Sequence, residues 1–279
     1  MQTELNIRDS ENALLLQAYE QDNYYYIDTD TDSDICYIFF SSNGLYYPDT
    51  EEVFCTQIFE KDRYEWKWVA RNSAIYNRAG RVIFVRDIYK CWYARGINSR
   101  VDTIDRTLEL LKELTEGYRV ITVGSSAGGY MAVLSAAKLN AEFCINFSGQ
   151  YHISREFGNP YDDLVVLLKD YVGKIFYFVP AHYEPDQKQY SSVRTLDCLK
   201  AFLFDDDKHA STMFTGNMCY IVDRDEEYLV HLYERYYGKE IGKLHFLFVT
   251  VPLRYIFGIL FKEVQGFLVR RWGKHWNSI

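Results

Sequence analysis

One stretch of the chain joins a strand pattern directly to a helical pattern through a turn of small residues. Residues 119–124 (RVITVG) are apolar and β-branched, as in a strand covered on both faces, and residues 125–140 (SSAGGYMAVLSAAKLN) are typical of a helix packed on a sheet. The turn from Gly124 to Gly128 fits the pattern G-x-S-x-G, whose glycines remove side chains that would collide in a sharp turn. A chain with this unit is expected to build a sheet layered with helices.

The rest of the chain alternates strand and helix patterns. Residues 97–117 have apolar positions at helical spacing, and the pattern is helical again from 222 to Gly238. Two segments near the start, 13–19 and 23–28, are interpreted as a pair of short strands. Apolar runs predict further buried strands at 35–40, 81–87, 142–151, 174–180 and 199–204. This order predicts an α/β fold, with a mostly parallel sheet flanked by helices on both faces.

Residues 243–279 differ from residues 1–242 in charge and composition. They carry six basic residues against one acidic residue, a net of +5, in a chain whose total charge is −8. Pro252, Arg254 and Lys262 interrupt their apolar run, which falls short of the roughly 20 apolar residues of a membrane-spanning helix. We predict a catalytic domain over 1–242 and a helical C-terminal extension over 243–279. The extension either packs on the domain or binds an anionic membrane surface or a protein partner.

Charge and cysteine content restrict the partners and the compartment. The net charge of −8 disfavours nucleic acid as a partner, because non-specific binding to phosphates needs clustered lysine and arginine. The six cysteines are widely spaced without a CxxC pair, and the N-terminal residues lack a basic segment followed by an apolar one. Both features predict a cytoplasmic protein, at most peripheral at the inner membrane face. No metal-binding or cofactor motif is recognised, so neither is expected.

The turn at residues 124–128 predicts a nucleophile. It would raise the Ser126 hydroxyl above the sheet and place the amide of Ala127 at the start of the next helix, where free N–H groups stabilise an oxyanion. A serine nucleophile needs a base, and a histidine base needs a carboxylate that fixes its tautomer. A small-residue turn without chemical function is the alternative explanation of the same residues.

His209 fits the base best among the six histidines, because it lies in a polar loop after the strand at 199–204. The loop after the preceding strand offers two carboxylates, of which Asp186 is preferred to Glu184 as the acid. Asp206, in the same loop as the histidine, is the third candidate. Each of these side chains is otherwise explained as a solvated loop or turn residue.

Residues near the same sheet edge are candidates for the rest of the site. The amide of Ser42 or Asn43, after the strand at 35–40, is a candidate for the second oxyanion donor, although an ordinary Asn-Gly turn fits equally well. His152 and His182 also follow strands, and we predict that they line the substrate pocket.

With the turn at 124–129, the segments FVRDIYKCWYARG and NFSGQY, Asp186 and His209, the chain resembles α/β-hydrolase-fold proteins over residues 35–215. Among them it looks like divergent members found beside bacterial surface-polysaccharide and glycoprotein export genes. The resemblance implies a triad of Ser126, His209 and Asp186 that serves ester hydrolysis or O-acetyl transfer onto glycans. The chain lacks the His-Gly-Gly-Gly of ordinary lipases and esterases at 41–44, so the resemblance does not assign the second oxyanion donor. It also lacks a long apolar lid over 152–173, which disfavours long-chain lipid substrates.

Three functions fit these features. The first is a serine-dependent carboxylester hydrolase that releases a small acyl group, with an O-acetylated glycan as one candidate substrate. The second is an O-acyltransferase that modifies a bacterial surface polysaccharide, with acetyl-CoA as the expected acyl donor. The third is a non-catalytic scaffold of a polysaccharide or secretion assembly, which is disfavoured because all three residues of the implied triad are present.

Overall fold

The structure is a computed structural model that describes residues 3–8, 11–154, 158–210 and 212–276. Its centre is an eight-stranded sheet in which the strand order is β1-β3-β2-β4-β5-β6-β7-β8. The edge strand β1 runs antiparallel to β3, and every other neighbouring pair is parallel. The strands are β1 (Tyr24–Asp28), β2 (Ile35–Phe40), β3 (Arg81–Val85), β4 (Arg119–Ser125), β5 (Phe143–Phe147), β6 (Lys174–Pro180), β7 (Leu199–Phe204) and β8 (Glu240–Ile241).

Helices connect and cover these strands. The short helix α2 continues directly into a wider helical turn over Cys55–Glu60. The α-helices are α1 (Ala13–Tyr19), α2 (Glu51–Phe54), α3 (Lys67–Arg71), α4 (Ile104–Leu114), α5 (Ser126–Leu139), α6 (Val165–Leu168), α7 (Glu184–Val193), α8 (Thr215–Ile221), α9 (Glu226–Tyr236), α10 (Lys243–Thr250) and α11 (Leu253–Trp276).

The sheet is buried on both faces because its central strands carry apolar side chains at most positions. In β2, Ile38 and Phe40 belong to a core that includes buried residues of α4 and α5, whereas Tyr37 and Phe39 belong to the core on the opposite face. That second core includes residues of α3, α8, α9 and α10. Successive side chains of a strand point to opposite faces, so a run such as ICYIFF needs a helical layer on each side. The predicted fold class is therefore confirmed.

Two predictions of local structure were wrong in detail. Residues 13–19 form α1 and not a strand, because Asn12 caps the helix by accepting hydrogen bonds from the amides of Leu14 and Leu15. The helix predicted over 97–117 begins only at α4, where Thr103 accepts a hydrogen bond from the amide of Arg106. In both places a capping side chain sets a boundary that apolar spacing does not reveal.

The C-terminal segment contains two helices with different surroundings. Phe246 of α10 is fully buried and its ring contacts those of Phe204 and Phe178 at centroid distances of 5.0 and 6.3 Å. In α11, by contrast, Phe257 and Phe261 are 82% and 62% exposed. The first helix therefore belongs to the layer over the sheet, whereas α11 leaves large apolar side chains in contact with solvent. No helix in the described ranges is long and apolar enough to span a bilayer.

Candidate active site

A sharp turn between β4 and α5 exposes Ser126. Ser126 has a backbone φ of +51°, in the left-handed region that non-glycine residues rarely adopt. Close backbone contacts surround the turn, since a Cβ on Gly124 would lie 2.1 Å from the carbonyl oxygen of Gly128. A Cβ on Gly128 would lie 2.3 Å from the carbonyl oxygen of Phe40. The prediction that side chains at 124 and 128 would collide is confirmed, and only glycine fits at either position.

Ser126, His209 and Asp186 form a continuous hydrogen-bonded chain. The His209 Nε2 atom lies 2.8 Å from the Ser126 Oγ atom, and His209 Nδ1 lies 2.8 and 3.0 Å from the two carboxylate oxygens of Asp186. An ionised carboxylate only accepts hydrogen bonds, so Nδ1 carries the proton and Nε2 is left to accept the hydroxyl proton of Ser126. In this tautomer the imidazole is oriented as a base toward the serine.

The three residues come from separate segments that meet at one sheet edge. Ser126 begins α5 after β4, and Asp186 lies in the first turn of α7 after β6. His209 lies in the loop after β7. The carboxyl ends of parallel strands share an edge, which brings side chains 83 residues apart in sequence into contact. The acid lies on a helix and not in the loop expected after β6, because Pro185 is compatible with the first turn of a helix.

Burial and partners distinguish Asp186 from the other two candidate acids. Asp186 is 2% exposed, while Glu184 is exposed and forms an ion pair with Lys188 at 2.7 Å. Asp206 forms an ion pair with Lys243 and accepts a hydrogen bond from the amide of Lys208. Among the described residues, only the carboxylate of Asp186 contacts His209.

The candidate oxyanion donors have different surroundings. The amide of Ala127 lies at the N-terminus of the 14-residue helix α5, where it has no intrahelical acceptor. The amide of Ser42 donates to a carboxylate oxygen of Glu65 at 2.5 Å, and the Ser42 hydroxyl donates to the other oxygen at 2.9 Å. Burial raises the pKa of Glu65. The Ser42 amide thus already donates its hydrogen to Glu65. By contrast, no hydrogen bond from the amide of Asn43 is found within the described segments.

His152 and His182 contact carboxylates away from the Ser126 hydroxyl. His152 Nδ1 lies 3.3 Å from Asp163, and His182 Nε2 lies 3.0 Å from Glu240 and 3.3 Å from Asp205. Neither imidazole contacts Ser126, His209 or Asp186 in the described part of the chain. His182, Asp205 and Glu240 could together hold a cation, because their ligand atoms lie within 4.8 Å of one another, but all three are exposed. Neither histidine has a contact with the triad that would support its predicted place in the pocket.

The segment FVRDIYKCWYARG contains a strained loop whose conformation was not predicted from the sequence. The buried carboxylate of Asp87 accepts hydrogen bonds from the amides of Tyr89, Cys91 and Tyr93 at 3.1, 2.8 and 2.9 Å. Within this loop, Lys90, Trp92 and Tyr93 have φ values of +48°, +54° and +59°. Burial raises the pKa of Asp87 to about 6. Non-glycine residues at positive φ each cost about 1–3 kcal/mol, so the surrounding contacts must impose this loop conformation.

The loop around Asp87 is fastened to the two strand ends next to Ser126. The Tyr93 hydroxyl donates to the carbonyl oxygen of Ser41 at 2.9 Å, and the Trp92 indole N–H donates to Gln150 Oε1 at 3.1 Å. Trp92 and Asn43 line the same cleft, whose volume is about 530 Å³. The backbone of Ser41 also faces Gly128, because a Cβ there would lie 2.8 Å from the Ser41 carbonyl oxygen. The cleft therefore opens beside the loop that follows β2, and this loop contacts the nucleophile turn through Ser41. Ser126, His209 and Asp186 are not among the residues that line the cleft.

No protein-family model matches the sequence, and a search of curated proteins finds no match. Solved structures that share the fold do exist. The capsule O-acetyltransferase of Neisseria meningitidis serogroup A is 12% identical, with 78% of this chain and 90% of that chain covered and a TM-score of 0.47. A further structure of that acetyltransferase, a histidine-to-alanine mutant, is in complex with CoA.

Two further solved structures are similar to about the same extent. The 2,6-dihydroxy-pseudo-oxynicotine hydrolase is 13% identical, with 78% of this chain and 66% of that chain covered and a TM-score of 0.45. MenH from S. aureus is 10% identical, with 83% of this chain and 100% of that chain covered and a TM-score of 0.42. At such scores and identities these proteins say nothing about the activity of this chain. The chain's own sheet order, its turn at Ser126 and the order serine, aspartate, histidine are those of an α/β-hydrolase fold.

Proposed function

We propose that the protein is a serine-dependent acyl-transfer enzyme and that its main reaction is hydrolysis of a small carboxylic ester. The observation that supports this most strongly is the chain of contacts from Ser126 Oγ through His209 to Asp186, with distances of 2.8 to 3.0 Å. The left-handed backbone at Ser126 adds support, because such strain is retained at nucleophile turns.

In the first half-reaction, Ser126 Oγ attacks the acyl carbonyl while His209 Nε2 takes the hydroxyl proton. The negative charge that develops on the carbonyl oxygen is stabilised by the amide of Ala127 and the N-terminal dipole of α5. Asp186 keeps His209 oriented and stabilises the imidazolium. The bond to the alcohol then breaks, His209 returns the proton to the leaving oxygen, and the acyl group stays on Ser126.

In the second half-reaction, His209 removes a proton from water, which attacks the acyl-enzyme and releases the carboxylic acid. The proton returns to Ser126 and the free enzyme is restored. No metal or resident cofactor takes part in this sequence.

Acyl transfer to a sugar hydroxyl is the second candidate function. It uses the same acyl-enzyme, with an acceptor hydroxyl in place of water and acetyl-CoA as the proposed donor. The indole of Trp92 in the cleft supports it, because an aromatic face can bind a carbohydrate ring and exclude water. In this version the acceptor is a bacterial surface polysaccharide. A scaffold role is not favoured, because it would not require the contacts among Ser126, His209 and Asp186.

The test is the turnover of p-nitrophenyl acetate by the wild type, Ser126→Ala and His209→Ala, each with and without a glycan acceptor. We expect both variants to lose nearly all turnover. Acetylated glycan in the wild-type reaction would favour the transferase, and acetate alone would favour the hydrolase. A wild type no faster than the two variants would overturn the proposal and leave the scaffold role.

A further inference from the structure

The cleft that Asn43 and Trp92 line is cationic. Three of its lining side chains are basic, and none of those within the described ranges is acidic. The lining residues are Ile7, Arg8, Asn43, Tyr89, Lys90, Cys91, Trp92 and Arg95. These positive charges contrast with the net charge of −8 of the whole chain.

The three basic side chains differ in what they already bind. Lys90 is buried, forms an ion pair with Asp49 and stacks on the ring of Tyr46 at 3.7 Å. Its charge is therefore neutralised within the protein. Arg8 and Arg95 are exposed and form no ion pair with any carboxylate among the described residues. Their guanidinium groups are available to a ligand.

Arg95 is held over an aromatic surface and not left to move freely in solvent. Its guanidinium carbon lies 4.5 Å from the centre of the Tyr89 ring. The same segment carries the amides that bind the buried carboxylate of Asp87. The strained loop thus places Trp92 and Arg95 in one wall of the cleft, facing the loop that contains Asn43. A planar guanidinium in such a position suits bidentate binding of phosphate or carboxylate oxygens.

We propose that this cleft binds an anionic group, a phosphate or a carboxylate, on the alcohol part of the substrate. The inference rests on the proposed acyl transfer by Ser126. Because the acyl group is small, the remainder of the substrate is the part that occupies a cleft of about 530 Å³. Arg95 and Arg8 bind the anion, and Trp92 packs against the carbon skeleton that joins it to the ester oxygen. The substrate is then an acylated sugar acid or sugar phosphate, or another ester with a charged alcohol.

The experiment compares three aryl acetates of similar size. Methyl 4-acetoxybenzoate is neutral, 4-acetoxybenzoate carries a carboxylate, and 4-acetoxyphenyl phosphate carries a phosphate. The readout is the ratio of kcat/KM for each charged ester to kcat/KM for the neutral ester. In the wild type we expect a ratio above one, with the larger ratio identifying the preferred anion. Arg95→Ala should lower that ratio by about 10- to 100-fold, the usual worth of a charge-assisted hydrogen bond.

Two further variants test whether the ratio of charged-ester to neutral-ester kcat/KM depends on Arg95 itself. Arg95→Lys keeps the charge and should recover part of the ratio. Arg194→Ala removes an exposed arginine from a different cleft and should leave both the ratio and the neutral rate unchanged. A folding defect in Arg95→Ala would lower all rates together and leave the ratio at the wild-type value. A ratio near one in the wild type, or one that Arg95→Ala does not change, would overturn the proposal.

A binding measurement separates this proposal from the proposed reaction. Inorganic phosphate is titrated calorimetrically into Ser126→Ala and into Ser126→Ala combined with Arg95→Ala. Binding that depends on Arg95 supports the anion site even if no ester is turned over. Turnover of the neutral ester without Arg95-dependent binding or charge preference would refute the anion site and leave the acyl transfer standing.

Discussion

Replacing Asp186 by asparagine changes a carboxylate that is 2% exposed and that contacts His209 Nδ1 through both oxygens, at 2.8 and 3.0 Å. The amide of asparagine presents an N–H group where one of these oxygens stood. His209 then accepts at Nδ1 and carries its proton on Nε2, so it can no longer take a proton from Ser126. In serine hydrolases such an exchange lowers kcat by about 10⁴-fold, equivalent to roughly 5.5 kcal/mol in activation free energy.

The fold should survive this substitution. A charge-assisted hydrogen bond is worth about 1.5–3 kcal/mol, and the amide retains part of it as a neutral hydrogen bond. The assay is turnover of p-nitrophenyl acetate at saturating substrate, with thermal unfolding measured in parallel. Glu184→Gln and Asp206→Asn are matched controls, because each removes the charge of another candidate acid that does not contact His209. We expect both controls to keep kcat within about three-fold of wild type, because neither carboxylate orients the imidazole.

Either of two results would refute this reasoning. One is an Asp186→Asn enzyme with wild-type kcat, which would mean that His209 needs no orienting carboxylate. The other is a loss of about 10⁴-fold in Asp206→Asn or Glu184→Gln, which would assign the acid to a residue that points elsewhere in the structure.

Three further outcomes are expected. Burial raises the pKa of Asp87 from 3.8 to about 6 in the folded protein, so its contribution to stability is complete below about pH 4 and is lost as pH rises through 6. The free energy of unfolding therefore decreases by about 3 kcal/mol over this pH range. Urea unfolding at several pH values should show this decrease in the wild type and not in Asp87→Asn. An equal pH dependence of the two proteins would contradict the prediction. Gly128→Ala should destabilise the fold by about 2 kcal/mol or more, because the added Cβ would lie 2.3 Å from the Phe40 carbonyl oxygen. In the control Gly242→Ala the added Cβ meets open space, so this variant should unfold at the wild-type temperature. Sedimentation with anionic lipid vesicles should depend on residues 253–279, because α11 exposes large apolar side chains beside basic ones; equal binding after their removal would exclude a membrane role.

The parts of the fold that were predicted from sequence are those with a local pattern. The runs at 35–40, 174–180 and 199–204 form β2, β6 and β7 with these bounds, because a strand buried on both faces is apolar at most of its positions. The turn at 124–128 was recognised because G-x-S-x-G between a strand pattern and a helix pattern is a local sequence signal, although the contact that requires Gly128 is with the distant Phe40 carbonyl oxygen. The choice of His209 followed from the rule that chemistry collects at the carboxyl edge of a parallel sheet.

The parts that could not be predicted depend on contacts between distant segments. Ser42 remained a candidate oxyanion donor because nothing in the sequence shows that Glu65, 23 residues later, accepts its amide hydrogen. Three acids were compatible with His209 because the direction of a side chain depends on the helix or loop that carries it. The hydrogen bonds to Asp87 left no pattern, since they run from backbone amides of any sequence to one carboxylate.

The most direct test of the central claim is to trap the covalent intermediate on Ser126. The enzyme is mixed with p-nitrophenyl acetate, quenched in acid within the first turnovers and digested, and its peptides are analysed by mass spectrometry. The proposed reaction predicts one added acetyl group on the peptide that contains Ser126 in the wild type, and no such group in Ser126→Ala. In His209→Ala the amount of this acetylated peptide exceeds that of the wild type only if Ser126 still attacks the ester. Turnover that persists in Ser126→Ala, or an acetyl group confined to other residues, would contradict it.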